Sequence, residues 1–376
     1  MNKIKFLTVT SFYDEYLKDF YSRQPAALNM SYKHHLEQLM ADCFGWANFW
    51  SKNLEKTEKF EATEIVVNAK TLQLQWAKEH GIKTKDKGWE TQVLEAQIEE
   101  FKPDVLFAHD ASIITPNVRT AIKQKFPFVK LIIGWDGVAL NNPALYNGCD
   151  VVMSCVQSVA DFYERAGFKG YFFQFGFENS LLDRLIKRNP LYDVSFVGSI
   201  GPSAHSIRLS LLANVSRKLP LNVWAASFPP YGFFSKSQLK RLLFERLSEY
   251  LDVHKIGKYN KGALFGLDMY QALADSKIVL NSHIDIASKT GNMRMFEATG
   301  VGTCLVTDWK DNIKDFFVPD REIVTYKSAG ECVEKIKYLL AHESERKQIA
   351  AAGQKSGSPL PGRNAFLVKN SRPGMA

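Results

Sequence analysis

Short apolar runs, each closed by polar residues, alternate with helical stripes along this chain, and the series starts twice. Residues 3–10 read as a first strand, followed by a polar, aromatic loop over residues 11–16. Leu36, Met40, Cys43, Ala47 and Trp50 recur at helical spacing and predict a helix over residues 32–50. Leu94, Ile98 and Phe101 mark another helix, ended by Pro103. Asp104-Val-Leu-Phe-Ala-His-Asp110 reads as a buried strand with two polar residues at its C-terminal end. Lys130-Leu-Ile-Ile-Gly-Trp-Asp136 repeats the design, and Asp150-Val-Val-Met-Ser-Cys155 is a third such strand, with a helix over residues 159–166 after it.

Residues 172–190 mix aromatics, Gly176 and charges without a period, and we read them as a crossing between domains. The second series opens with Asp193-Val-Ser-Phe-Val-Gly-Ser199. It continues with the apolar stripe Ile207, Leu211, Val215 and Leu219, a strand over 222–227, a helix over 269–275 and a strand over 277–281. Val333, Ile336 and Leu340 give a last amphipathic helix. Strands alternating with helices argue parallel sheets covered on both faces. A chain of 376 residues is long for one core and natural for two. The expected fold class is therefore α/β, with one domain over 1–180, a second over 190–355, and a Gly/Pro-rich disordered tail over 356–376.

Bulk properties exclude several classes. No stretch approaches the 18 apolar residues of a membrane span. The N-terminal apolar stretch is too short and too interrupted for a signal-peptide core. Five cysteines, with no Cys-x-x-Cys pair, favour reduced structural thiols in a cytoplasmic protein. A net charge of +8 suits anionic partners such as sugar nucleotides or lipid phosphates. The lysines are scattered, with no block of the kind that binds nucleic acid. No Asp-x-Asp is present to bridge a divalent ion to a diphosphate. Gly300-x-Gly302 lacks the third glycine of a dinucleotide fingerprint, and there is no P-loop motif. Neither a metal nor a bound cofactor is expected.

The densest chemistry lies in Asn292-Met-Arg-Met-Phe-Glu-Ala-Thr-Gly-Val-Gly-Thr-Cys-Leu-Val-Thr-Asp308. It reads as a helix start, a glycine turn and a short apolar strand. Such a unit places backbone N–H groups at one end of a parallel sheet, where α/β folds hold phosphorylated ligands. Arg294 can meet a diphosphate, and Glu297, one helical turn on, can accept from ribose hydroxyls. Gly198, Ser199 and Arg208 form a second candidate set, a turn with free N–H groups and a guanidinium at a helix start. His205 can donate to the same phosphate, and Asn281 and His283 close a strand where ligands gather. In the first half, Asp14, Asp110 and Asp136 each follow an expected strand and are candidate bases for an acceptor hydroxyl. The cluster Phe44-Gly-Trp-Ala-Asn-Phe-Trp50 packs a helix, or else stacks on a glycan or touches lipid head groups.

The run from Asn292 resembles the Glu-Ala-x-x-x-Gly segment of GT-B glycosyltransferases, and more narrowly the Asn-x-Arg-x-Phe-Glu-Ala pattern of the CgeB-like group. The resemblance extends over most of residues 193–355. It includes Gly198-Ser199, His205, Arg208, Ser276-Lys-Ile-Val-Leu-Asn-Ser-His283 and Ile349-Ala-Ala-Ala-Gly-Gln354. It implies two Rossmann-like domains with parallel sheets facing across a cleft, the first handling the acceptor and the second a nucleotide-diphosphate sugar. The implied activity is metal-independent hexosyl transfer to a glycan, glycolipid or other acceptor in bacterial polysaccharide or glycoconjugate synthesis. The expected setting is cytoplasmic, with possible peripheral contact at the inner face of the membrane. The implied donor-binding residues are Gly198, Ser199, His205, Arg208, Asn281, His283, Lys289, Asn292, Arg294 and Glu297. Many retaining members carry a glutamate where this chain has Lys289, so retention and inversion both stay open. A sugar-nucleotide or glycan-binding protein without catalysis, and a sugar-nucleotide epimerase, are alternatives with the same fold.

Overall fold

The computed structural model describes residues 2–137, 142–200, 205–226, 252, 254–285 and 289–357. The chain divides into two compact units, residues 1–174 and 175–376.

In the first unit, strands β1 (Ile4–Thr10), β2 (Phe60–Val66), β3 (Val105–Ala108), β4 (Leu131–Trp135), β5 (Val151–Ser154) and β6 (Lys169–Phe172) alternate with helices α1 (Asp14–Arg23), α2 (Tyr32–Ala41), α3 (Phe49–Glu55), α4 (Lys70–Glu79), α5 (Trp89–Phe101), α6 (Pro116–Lys125) and α7 (Gln157–Arg165). All strand pairs are parallel, in the order β2-β1-β3-β4-β5-β6. The order reverses at β1, so the carboxyl ends of β1 and β3 flank a topological switch point, where open α/β sheets hold ligands. Leu7, Leu106, Phe107, Ala108 and Ile132 are fully buried, as near-continuous apolar runs in a parallel sheet require.

The single helix expected over 32–50 is two. Cys43, Gly45 and Ala47 take positive φ angles of 58°, 60° and 40°, which no helix interior tolerates, and the chain turns there before α3 begins. The aromatic cluster is interior: Trp46, Phe49 and Trp50 are buried, and Trp50 stacks on Phe6 at 6.0 Å. This leaves helix packing as the role of those rings and removes them as a lipid contact. The free thiols are mostly buried, and burial raises those of Cys155, Cys304 and Cys332 to about 12.

Glu64 on β2 is 4% exposed, and its Oε1 accepts from the Ser51 N–H at 3.1 Å. Burial raises its pKa from 4.5 to about 7. The folded state therefore holds this proton more tightly than the unfolded chain does. Its contribution to stability is full below pH 4.5 and is lost as pH rises toward 7. The shift corresponds to about 3 kcal/mol. A Glu64→Gln protein keeps the acceptor for Ser51 and is expected to gain stability over wild type at pH 8 but not at pH 4.5. Urea titrations at both pH values check this, and an equal difference at the two would refute it.

In the second unit, β7 (Tyr192–Ser199), β8 (Leu221–Ala226), β9 (Ser276–Leu280), β10 (Cys304–Asp308) and β11 (Val324–Tyr326) alternate with α8 (Ser206–Val215), α9 (Gly266–Ala274), α10 (Met293–Gly300) and α11 (Ala329–Ala341), and α12 (Glu343–Gly357) follows. Among the described residues the parallel order is β11-β10-β9-β7-β8, so the switch point lies between β7 and β9. Gly300 is required by close packing: a Cβ there would meet the Phe177 ring at 2.0 Å. Ser356 and Gly357, expected in the tail, complete α12, where Ser356 Oγ donates to Glu322 at 2.5 Å. The rest of the expected tail, 358–376, and Ser227 of the expected strand 222–227 lie outside the described residues. Among the described residues no helix is long and apolar enough to cross a membrane.

Candidate active site

In the first unit the two strand ends at the switch point are tied together by side chains. Thr10 Oγ1 and His109 Nδ1 are 2.9 Å apart, and Ser11 Oγ donates to Asp110 Oδ2. Asn68 clamps the next residue, accepting from the Phe12 N–H at 2.9 Å and donating to its carbonyl at 2.7 Å. With the Thr10 hydroxyl proton turned to Ser11 O at 3.4 Å, Thr10 can accept from Nδ1–H of His109. That assignment leaves His109 Nε2 as an acceptor, and among the described residues it makes no hydrogen bond. The imidazole is half-buried against Trp46, with ring centroids 4.3 Å apart. Burial lowers its pKa to about 4, against an upward pull from Asp110, and keeps the ring neutral at physiological pH.

The three candidate aspartates differ sharply. Asp110 is half-buried, and burial pulls its pKa up, but hydrogen bonds from Ser11 and Ser112 prevail and the net direction is down. It accepts from the Ser112 N–H at 2.9 Å and its hydroxyl at 2.6 Å, which makes it the organiser of a loop. A carboxyl held below its usual range is a weaker base for an acceptor hydroxyl. Asp136 is 1% exposed and accepts from Tyr163 Oη at 2.7 Å. It is an internal anchor for Tyr163. Asp14 is exposed in the first turn of α1, where it complements the helix dipole. His109, passed over at the sequence level as a base, is the best-placed proton acceptor of this group.

In the second unit, Arg208 spans the switch point. Its Nη1 donates to Ser199 O at 2.7 Å, and Nε and Nη2 donate to Ser282 O at 3.1 and 2.5 Å. It is 7% exposed, and desolvation lowers its pKa to about 10. A guanidinium so engaged pins β7 to the segment after β9. His205 is the N-cap of α8, its carbonyl accepting from Leu209 N at 2.9 Å. Asn281 is buried and occupied: Nδ2 donates to Thr307 Oγ1 at 2.9 Å, Oδ1 accepts from Asn292 Nδ2 at 3.0 Å, and its carbonyl accepts from Tyr326 Oη at 2.7 Å. Asn292 caps α10, accepting from Met295 N at 3.3 Å. Both asparagines shape the α10 start and have few groups left for a ligand.

Arg294 and Glu297 are brought together on one face of α10 at 2.7 Å. Arg294 Nε donates to Val197 O at 3.1 Å, beside Gly198 and Ser199, and Tyr270 Oη donates to Glu297 Oε1 at 3.4 Å. Arg294 Nη2 makes no hydrogen bond among the described residues. Lys289 lies half-buried in the loop before α10, likewise without a hydrogen bond or ion pair there. This face thus carries a partly free guanidinium and a carboxylate beside the glycine turn of β7. These groups can take a diphosphate and a diol.

His283 faces elsewhere. Its Nδ1 and backbone N–H meet Asp308 Oδ1 at 2.7 and 3.0 Å. Burial pulls the Asp308 pKa up, but these two donors and Lys310 bring it down overall.

A family profile described as glycosyl transferase-like matches residues 211–356. No curated protein sequence matches the chain. Among solved structures it is similar to HepE of Anabaena in complex with UDP-glucose, at 12% identity over 94% of each chain and a TM-score of 0.54. It is also similar to a glycosyltransferase from Rickettsia africae, at 11% identity over 95% of this chain and 94% of that one, with a TM-score of 0.55. Sucrose-phosphate synthase from Thermosynechococcus elongatus matches at 10% identity over 94% of each chain, with a TM-score of 0.56. At these identities the likeness is one of fold, and the fold is GT-B.

Proposed function

We propose that this protein is a glycosyltransferase that moves a hexosyl group from a nucleoside-diphosphate sugar to a hydroxyl of a glycan or lipid-linked acceptor in polysaccharide or glycoconjugate synthesis. The observation that carries this reading is the Arg294–Glu297 pair on α10, inside the segment matched by the glycosyl transferase-like family and beside the Gly198-Ser199 turn. The Asn292-x-Arg294-x-Phe296-Glu297-Ala298 pattern supports the narrower CgeB-like assignment. The structural neighbour solved with UDP-glucose makes a UDP-sugar the first donor to test.

In this reading the second unit holds the donor. Glu297 accepts from the ribose hydroxyls, while Arg294 Nη2, Lys289 and the Gly198-Ser199 N–H groups meet the diphosphate. The first unit handles the acceptor. His109 Nε2 takes the hydroxyl proton as the acceptor oxygen bonds to the anomeric carbon, and the bond from that carbon to the diphosphate breaks with its electron pair leaving on phosphate. Attack of this kind inverts the anomeric centre. Charge on the leaving diphosphate is balanced by the protein's own cations, placed before reaction and needing no rearrangement.

Two measurements test this. A ligand that binds only the native state raises its melting temperature by mass action. UDP is expected to do so in a panel with GDP, CMP and dTDP, and a panel in which no nucleotide shifts the transition would end the proposal. Donor turnover is expected to persist in excess chelator. Loss of turnover restored by Mg²⁺ or Mn²⁺ would show that the protein's cations do not suffice.

A further inference from the structure

A cavity of about 480 Å³ opens in the second unit at the carboxyl ends of β9, β10 and β11, on the side of α8 and α11. Its wall includes His283, Asp285, Asp308, Trp309, Tyr326 and, from α8, Ser210. Arg294, Glu297, Gly198 and Ser199 are not among the described residues that line it.

Two atoms in this wall are buried without a hydrogen-bond partner: His283 Nε2 and Asp285 Oδ1. His283 is 4% exposed, so its orphan nitrogen is not explained by bulk solvent. Its ring is oriented by Asp308, a carboxylate that can only accept, and Nδ1 therefore carries the proton. In the neutral ring Nε2 is then an acceptor. The other oxygen of Asp285 accepts from Ser206 Oγ at 2.7 Å and Ile207 N at 3.1 Å, which fixes the carboxylate and leaves Oδ1 as an acceptor too. Two acceptors cannot satisfy each other, and a buried polar atom without a partner calls for an occupant. Both need donors from whatever fills the space.

The chemistry of the wall narrows that occupant. Two carboxylates, Asp285 and Asp308, are matched by Lys310 and Lys327, so the wall has little net charge to select an anion. Asp308 is already balanced by Lys310 at 3.4 Å and Asp285 by the α8 N-terminus, so little negative charge remains to attract a cation. Among the described residues no three His, Cys, Asp or Glu side chains gather to hold a metal. The volume is far above the roughly 30 Å³ share of one water and falls in the range of small-molecule pockets. Trp309 and Tyr326 add aromatic surface. A neutral ring bearing several hydroxyl donors meets all of these conditions.

We propose that this cavity binds one sugar ring through hydroxyls donated to His283 Nε2 and Asp285 Oδ1, as a saccharide subsite separate from the Arg294–Glu297 face. It stands on its own geometry and does not require the nucleotide reading above.

The test is saturation-transfer NMR on the full chain with the methyl glycosides of glucose, galactose and mannose, each alone and then with UDP added. At least one glycoside is expected to show transfer that UDP does not displace. Asp285→Asn keeps an oxygen for the α8 cap but turns the orphan acceptor into a donor, and is expected to weaken that glycoside about tenfold or more. Ser210→Trp, at an exposed helix position on the cavity wall, is expected to abolish transfer while circular dichroism stays unchanged. It keeps the proposal testable if Asp285→Asn fails to fold. No transfer from any glycoside, meaning that only water fills the cavity, would overturn the proposal. So would transfer that survives Ser210→Trp, or transfer that UDP competes away. Failure of UDP to bind at all would count against the donor assignment and leave this one standing.

Discussion

A His109→Ala protein is expected to fold, to keep its UDP affinity, and to lose roughly 10²–10⁴-fold in turnover, the usual contribution of a positioned general base. The expectation rests on three features of the β1–β3 switch point. Thr10 fixes the ring through Nδ1, Nε2 is left as an acceptor, and Trp46 holds the ring plane from one side. Burial keeps the pKa at about 4, so protonation disables the base only in acid. Turnover should therefore hold down to about pH 5 and fall below it, with no inflection near the ordinary histidine value. His109→Gln, which can still donate to Thr10, should be as slow as alanine, because an amide is not a base. Asp110→Asn should cost less, since its task is to organise Ser11 and Ser112. Product formed with inverted anomeric configuration would agree with this chemistry. His109→Ala and His109→Gln within threefold of wild type, or a retained configuration, would remove His109 from the role of base.

Why the alternation was legible and the site only partly so comes down to range. A buried parallel strand is written locally, as an apolar run with a polar end, and β3, β4, β5, β7 and β9 each carry that signature. The edge strand β2, Phe60-Glu-Ala-Thr-Glu-Ile-Val66, does not, because its first half is partly solvated and two glutamates, Glu61 and the buried Glu64, interrupt the apolar run. β11 is three residues long and too short to register. The break between α2 and α3 depends on positive φ at Cys43 and Ala47, residues that give no turn signal, with Gly45 the lone hint.

The same limit governs the side chains. Arg294 and Glu297 are three apart on one helix, so their pairing follows from spacing alone. Arg208 looks like a surface arginine in sequence. Its carbonyl partner at Ser282 is 74 residues away, and only the fold turns it into a buried clamp. Asp136 finds Tyr163 across 27 residues. Neighbours on a strand point opposite ways, which in sequence separates His109 from Asp110. Strand β3 ends at Ala108, however, and in the loop beyond it both His109 and Asp110 turn toward the end of β1.

Replacing Glu297 by Ala is expected to weaken UDP binding about ten- to a hundredfold, the loss of a hydrogen bond to a charged group. The carboxylate is pre-positioned, with Arg294 on Oε2 and Tyr270 on Oε1, so a ribose diol meets an acceptor that needs no reordering. The Arg294–Glu297 pair complicates a simple deletion, because removing the carboxylate frees the guanidinium for phosphate and offsets part of the loss. Glu297→Gln separates the two effects by keeping shape while removing charge. Its affinity for uridine, which has the ribose but no phosphate, should fall as far as that of Glu297→Ala. Arg294→Ala should act the other way round, leaving uridine nearly unchanged and weakening UDP. Arg294→Lys should recover only part of that loss, since a compact ammonium lacks the planar fork that meets Val197 O and Glu297 through separate nitrogens and leaves Nη2 for phosphate. Calorimetric titration of the four variants with uridine and UDP reads all of these differences. If the folded Glu297 variants bind both ligands as wild type does, the nucleotide does not lie on this face of α10.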